Sequence, residues 1–263
     1  MTTAQQPVAA VHAANPGPRP EFYPRDPLAF QEPLTAPTPS LHPAVIEAID
    51  GYDSSTSGYV AAAHEAFKKA HESIQHVIDA RIAVTKNTDW SPEQRLLKVA
   101  ELAAQRQDQA TKAFDSALKR LGDGIKSFED MLTRPMQEKS GLGSINSEIR
   151  AHAKALKAGE REKFLNEALE QKDTSTLLAL CGGTHYLSGL SRERHAMLVR
   201  QYNELTQPEA AKRLRVMLAA RQHIESKGPL ILTQIEQALG WKWQKVQDAR
   251  ARHKAAEDVL KIA

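Results

Sequence analysis

From Ser57 onward the apolar residues Val60, Ala63, Phe67, Ala70, Ile74, Val77 and Val84 recur at alternating intervals of three and four, with Arg81 standing where the next one is due. Side chains so spaced line one stripe of a helix, and the alternation is that of a coiled-coil seam, so a long helix is predicted up to about Lys86. A second start signal follows at once. Ser91 stands as N-cap, Pro92 takes the first helical position, and Gln94 completes a capping box. From there Leu96, Val99, Ala103, Ala110, Ala113, Phe114, Leu118, Leu121, Ile125, Phe128 and Leu132 carry the stripe to about Arg134. That helix would span roughly 60 Å at 1.5 Å per residue, with a bend expected at Gly122 and Gly124. Two long helices with a short connection form an antiparallel hairpin.

Gly141, Gly143 and Ser144 break the pattern, and shorter helices are predicted near 145–157, 160–171 and 174–181. Ser191 is a candidate N-cap for a helix running to about Leu205, and Thr206 with Glu209 a candidate capping box around Pro208. Beyond Lys227, Gly228 and Pro229 one last long helix is expected. In it Leu232, Leu239, Val246, His253 and Leu260 keep a seven-residue spacing, and Ile235, Ala249 and Ala256 keep its companion, broken by Lys242. Such a seam can pack within the chain or between chains.

The start of the chain has no such periodicity. It holds ten of the fourteen prolines: Pro7, Pro16, Pro18, Pro20, Pro24, Pro27, Pro33, Pro37, Pro39 and Pro43. Each removes a backbone donor and biases its neighbour toward extended conformations, which favours polyproline II. Drawn out at about 3.1 Å per residue, the segment reaches on the order of 120 Å. Pro43 to Asp50 predicts a short helix, and Gly51 to Gly58 a polar hinge. The expected fold is all-α: an extended Pro-rich arm (1–50), a long helical hairpin (51–140), and a C-terminal helical domain (141–263) that combines a compact bundle of shorter helices with a long C-terminal helix.

Composition narrows the function. A quarter of the residues are charged, aromatics are 5%, and the net charge is +3; this suits a soluble chain with narrow apolar seams and much surface. No apolar run approaches the length that spans a bilayer, and Met1 is followed by neither a basic n-region nor an apolar h-region, so neither membrane nor secretion is expected. The single cysteine, Cys181, excludes an intrachain disulfide, and synthesis in a reducing interior is expected.

The candidate chemistry is sparse. His64 and His71 share a helix face but lie two turns, roughly 10 Å, apart, too far to ligate one ion. Cys181 with His185 has the look of a nucleophile and base, yet around Gly182 and Gly183 it reads as a small apolar residue at a helix end. GLGS at 141–144 lacks the lysine and spacing of a phosphate loop. The acids Glu160, Glu162, Glu167, Glu170 and Asp173 are interleaved with Arg161, Lys163 and Lys172, the pattern of a solvated face over buried Phe164, Leu165, Ala168 and Leu169. No catalytic residue, metal or cofactor is therefore expected, and the chain is read as a non-enzyme.

From Pro208 eleven lysines and arginines face six acids, a local excess of +5. Trp241, Lys242 and Lys245 there are candidates for contact with a partner protein or, second, with nucleic acid, since aromatics among cations can stack bases and neutralise phosphates. Helical geometry turns Trp241 away from the Leu239 seam, so it is expected to be exposed or held by another chain. In the arm, Phe22, Tyr23, Leu28, Phe30, Leu34 and Leu41 are candidate anchors for a neighbouring subunit, as large apolar side chains between prolines with no core of their own to enter.

The segment LCGGTHYLSGL at Leu180–Leu190, with the flanking EKFLNEALEQKD helix and the SRERH helix start, resembles a stretch of uncharacterised helical proteins from the structural-gene regions of tailed bacteriophages and prophages. The similarity covers about the middle third of the chain. It departs from those proteins at Gly183 and Thr184, where an Ala-Pro pair is common. The resemblance implies a virion-associated or assembly protein, made in the host bacterial cytoplasm, and weights the arm toward binding capsid, portal or tail neighbours; homo-oligomers are expected from the helical seams. Scaffolding or ejection is the alternative within that class, and a helical nucleic-acid-binding protein the alternative outside it.

Overall fold

The structure, a computed structural model, describes residues 26–30, 32–140 and 144–262. Among these, ten α-helices and two short 3-10 turns make up the regular structure, with no strand. The helices are α1 (Ala44–Glu47), α2 (Ser57–Thr85), α3 (Pro92–Ser140), α4 (Ser144–Ala155), α5 (Ala158–Glu170), α6 (Thr174–Cys181), α7 (Arg192–Thr206), α8 (Pro208–Lys227), α9 (Leu230–Leu239) and α10 (Trp243–Ile262). The all-α expectation and the long hairpin hold.

The capping box at the start of α3 forms as spelled: the Ser91 N–H donates to Gln94 Oε1 at 2.9 Å, and the Gln94 N–H to Ser91 Oγ at 3.2 Å. Helices α2 and α3 then run antiparallel. Phe67 meets Phe114 edge to face at 5.2 Å, and Tyr59, eight residues earlier, meets Phe128 at 5.3 Å. Between the two ring pairs lie buried Val60, Ala63 and Ala66 of α2 and Ala117, Leu121 and Ile125 of α3, and the seam continues past Phe67 through buried Ala70, Ile74 and Val77 on α2 and Ala110, Ala103 and Ala100 on α3. Helix α3 continues unbroken past Gly122 and Gly124, and beyond Arg134 to Ser140. Gly124 serves close approach instead of a bend, since a Cβ there would lie 2.5 Å from Met217 Cε on α8.

The expected C-terminal domain divides between two cores. Helices α8 and α9 and the first turns of α10 return to the hairpin, where Val216, Met217, Ala220, Ile231, Ile235, Leu239, Val246 and Ala249 join the core of α2 and α3. A second core gathers Met136 from the end of α3 with Leu165, Leu177, Leu180, Cys181, Leu190 and Leu198. Helix α3 is the spine common to both. The expected single last helix is two: Gly240, with φ +88°, ends α9, and only then does α10 begin. Heptad spacing survives this break because Gly240, Trp241 and Lys242 keep the count while turning the axis. The register also shifts, leaving Leu232 exposed and Ile231 buried.

The Gly51–Gly58 segment is a fixed corner and not the expected hinge. Thr56 is wholly buried; its hydroxyl donates to Gly51 O at 2.9 Å and accepts from the Asp53 N–H at 2.8 Å. Asp53 pairs with Lys212 of α8, and that partner, with Ser55, holds the Asp53 carboxyl well below the usual range. The Thr206 box does not form either. The Thr206 hydroxyl donates back to Tyr202 O at 2.9 Å, and Gln207 occupies the cap position of α8.

Arg161, expected on a solvated face, is half-buried and organises the second core. Its guanidinium donates to the carbonyls of Ala153, Lys154 and Leu156, orphaned at the end of α4, and to Gly189 O, at 2.6 to 3.3 Å. Gly189, with φ +69°, is required beside it, since a Cβ would approach Arg161 Cζ to 3.0 Å. Replacing Arg161 with Met removes the donors and leaves these carbonyls without them. We expect a loss of about 2–3 kcal/mol in urea unfolding, since charged hydrogen bonds to buried groups are worth that much.

His71 on α2 meets His42 edge to face at 4.9 Å. Burial first, then the neighbouring His42, push the His71 pKa below its ordinary value. The unfolded chain therefore takes up the proton first as pH falls. Stability is full above the ordinary histidine value near 6.5 and declines on acidification below it. Thermal melts of His71→Phe should lose part of the wild-type fall in Tm between pH 7.5 and pH 5.5.

Candidate functional site

The two groups of sequence-predicted contact residues, at opposite ends of the chain, meet each other. Residues 26–30 and 32–34 lie across the α9–α10 corner. The Phe30 N–H donates to Gly240 O at 3.0 Å and the Lys242 N–H to Leu28 O at 2.9 Å, which pairs Ala29 with Trp241 as an isolated antiparallel bridge. Further on, the Leu34 N–H donates to Gln237 O at 3.3 Å. A proline-rich segment has few donors; here two of them, Phe30 and Leu34, go to the end of α9, while the Ala29 N–H turns back to Asp26 O at 3.0 Å.

Side chains lock the pairing. Arg81, the residue that interrupts the α2 stripe, sends Nη2 2.6 Å from Leu34 O. Burial lowers its pKa, but from a value high enough for it to remain charged. Asp26 pairs with Lys245 while its Oδ1 accepts from the Leu28 N–H at 3.0 Å. The Lys242 ammonium stands 5.8 Å from the centre of the Phe30 ring, a cation–π distance. Gly240 is required by its backbone: a Cβ would only touch Arg81 Nη1 at 3.4 Å and Pro33 Cβ at 3.5 Å, but a φ of +88° is one that other residues avoid. On the far side of the corner Glu236 Oε1 accepts from the Trp243 N–H at 2.9 Å and so caps α10.

Several expectations are corrected by this clasp. Leu41 does have a core of its own: it is fully buried at the end of a 3-10 turn, Pro39–Leu41, against α2. Leu34 packs on the same core, and Leu28 and Phe30 are half-buried against the α9–α10 corner. Trp241 is likewise half-buried on its own chain's core, and Lys245 is engaged with Asp26. Wheel geometry misplaced Trp241 because it assumed a continuous helix through Gly240. Phe22 and Tyr23 lie outside the described residues. The residue that sequence reasoning passed over is Arg81, whose signal was its break in an otherwise apolar stripe.

The remaining candidates have structural partners. Cys181 is buried, and burial alone pushes its thiol up to about 12, far from a nucleophile's range. His195 Nε2 lies 3.1 Å from Cys181 O, and His185 Nδ1 3.2 Å from Leu190 O. Asp173 caps α6 by accepting from the Ser175 and Thr176 N–H groups, both at 3.1 Å, which lowers its pKa, opposite to a general acid's need. Glu162 pairs with Arg194 at 2.8 Å, and His64 with Glu47 at 2.9 Å. Among the described residues no cluster of three or more His, Cys, Asp or Glu side chains is arranged to hold a metal, and no helix is long and apolar enough to cross a membrane.

What the clasp does physically is fix residues 26–30 and 32–34 to the α9–α10 corner. Arg81→Met should release it while sparing the hairpin. Amide hydrogen exchange over residues 28–34 is expected to speed up at least tenfold, a change equivalent to about 1.4 kcal/mol, with protection of α2 and α3 unchanged.

Set against protein-family models, curated proteins and solved structures, the chain has no match, and the clasp geometry is left to carry the functional reading.

Proposed function

We propose that this protein is a non-catalytic structural component of a tailed-phage particle. In this reading a stiff helical body holds residues 1–25 at a defined exit point, and those residues bind neighbouring capsid, portal or tail subunits. The observation that supports it most is the anchoring of residues 26–34 by Arg81, Gly240 and Lys245. A tether transmits position only if its root is fixed. Five prolines, with Phe22 and Tyr23, precede Asp26 in sequence, and such segments lose little entropy when they dock in an extended form. The resemblance around LCGGTHYLSGL points to the same class of protein, and a body of long helices suits a strut. Self-association through exposed helical surface completes the reading.

The structure sets where the tether should be cut. Removal of residues 1–42 would delete Leu41 from the core, which costs about 2–5 kcal/mol for a buried leucine. Deletion of residues 1–25 leaves the clasp and the core whole. In particles assembled with that truncated chain, we expect incorporation to be abolished while circular dichroism and Tm stay at full-length values. Normal incorporation of the truncated chain would overturn the tether reading.

A further inference from the structure

Two apolar surfaces of this chain are left open at opposite ends of α3. At one end α10 projects beyond the body. It leaves the core after Ala249, is exposed at every position from Arg250 to Lys261, and carries Val259 and Leu260 at 69% and 77% exposure. With Ala255 and Ala256 these form a continuous stripe on one face of the helix, edged by Glu257 and Asp258. Apolar residues so exposed on a projecting helix constitute an unmet binding face.

At the other end a groove of about 890 Å³ runs between α3, α7 and α8. Val199, Leu214 and Leu218 contribute its apolar walls, and Leu218 is 40% exposed there. Asn203, 94% buried by its 6% exposure, also lines it, with an Oδ1 that has no partner among the described residues. The rim carries Arg200, Arg215, Glu129 and Glu204. Arg215 and Glu204 are paired with each other at 3.7 Å, whereas Arg200 and Glu129 have no ion-pair partner among the described residues. A groove between three helices, apolar along its walls and charged at its rim, accepts the apolar face of a fourth helix.

The two surfaces cannot meet within one molecule. Arg252 is held to Glu93 at 2.9 Å, and Arg250 and His253 lie beside Gln94, Leu97, Lys98 and Glu101, at the start of α3. The groove begins at Glu129. From Glu101 to Glu129 the helix rises about 42 Å, while Leu260 stands only about 10 Å along α10 from His253. We infer that the occupant of the groove is the projecting α10 helix of a second copy of this chain, with Val259 and Leu260 inserted between α7 and α8. Glu257, which edges the stripe beside Leu260, then exchanges its exposed pairing with His253 at 3.3 Å for Arg200. Because donor and acceptor surfaces differ, the contact is head-to-tail; it propagates, and gives a ring if the rotation per subunit closes or a filament if it does not. This deepens the self-association part of the proposed function and rests on it, while the arm plays no part in it.

The test is light scattering on the purified full-length chain with two substitutions at exposed positions, Leu260→Asp on the helix and Leu218→Asp in the groove. Wild type is expected to exceed twice the 29.1 kDa chain mass as concentration rises, and each variant alone to stay at the mass of one chain, with unchanged circular dichroism. Mixed together, the two variants should recover a species of two chains and no larger, since one retains the groove and the other the helix. A monomeric wild type, an oligomer that neither substitution disturbs, or a mixture that stays monomeric would each overturn the inference. The particle-incorporation assay of the 1–25 deletion reads the arm independently, so failure of one does not imply failure of the other.

Discussion

The constraint from which the rest of the architecture follows is that α2 and α3 face each other along one narrow seam, in which buried alanines alternate with Val60, Phe67, Ile74, Val77, Leu121 and Ile125. Two helices alone can bury one stripe each, so the pair by itself has a thin core. A hairpin of that kind leaves its flanks open along most of its length. Helices α8 and α9 supply the missing bulk, with Met217 seated against Gly124 and Ile231, Ile235 and Leu239 laid against α2 and α3. The larger residues near the rings, Phe67 with Phe114 and Tyr59 with Phe128, fix the register along the seam. Arg213 of α8 adds a cation 5.4 Å from the Tyr59 ring, which ties the third helix to that register.

Local signals in the sequence were translated faithfully into local structure. The stripe of α2, the reciprocal Ser91–Gln94 cap, the Ser191 cap of α7 and the three short helices after the hairpin lie where spacing and cap chemistry place them. What failed was inference across distance. Heptad counting ran straight through Gly240, because three non-helical residues preserve a period that the chain's direction does not. Thr206 had a capping sequence, but Gln207 adopted the cap conformation, so the hydroxyl turned back into α7. Arg161 was indistinguishable from its solvated neighbours until the end of α4 arrived beside it with free carbonyls.

The clasp shows the same limit more sharply. Leu28, Phe30, Trp241, Lys242 and Lys245 were each recognisable as contact residues, because each is large or charged in a context that does not bury it locally. Nothing in periodicity or composition says that one set is the partner of the other. Arg81 held the only hint, as a charge standing in an apolar stripe and therefore in need of an acceptor from elsewhere in the chain.

Asp26 and Lys245 are 219 residues apart in sequence, and that separation imposes an order on folding during synthesis. Loop closure over such a length contributes nothing until both ends exist, so the hairpin and the second core can form while the first thirty-four residues still lack their platform. At ribosomal speeds of about 5–20 residues per second, the delay between the two ends amounts to roughly 10–40 s. For that interval the N-terminal residues are available to a chaperone or to an earlier-made neighbour, and completion of Gly240 to Lys245 ends it. The clasp thereby reports that translation has reached the C-terminal helix before the root of the chain is locked in place.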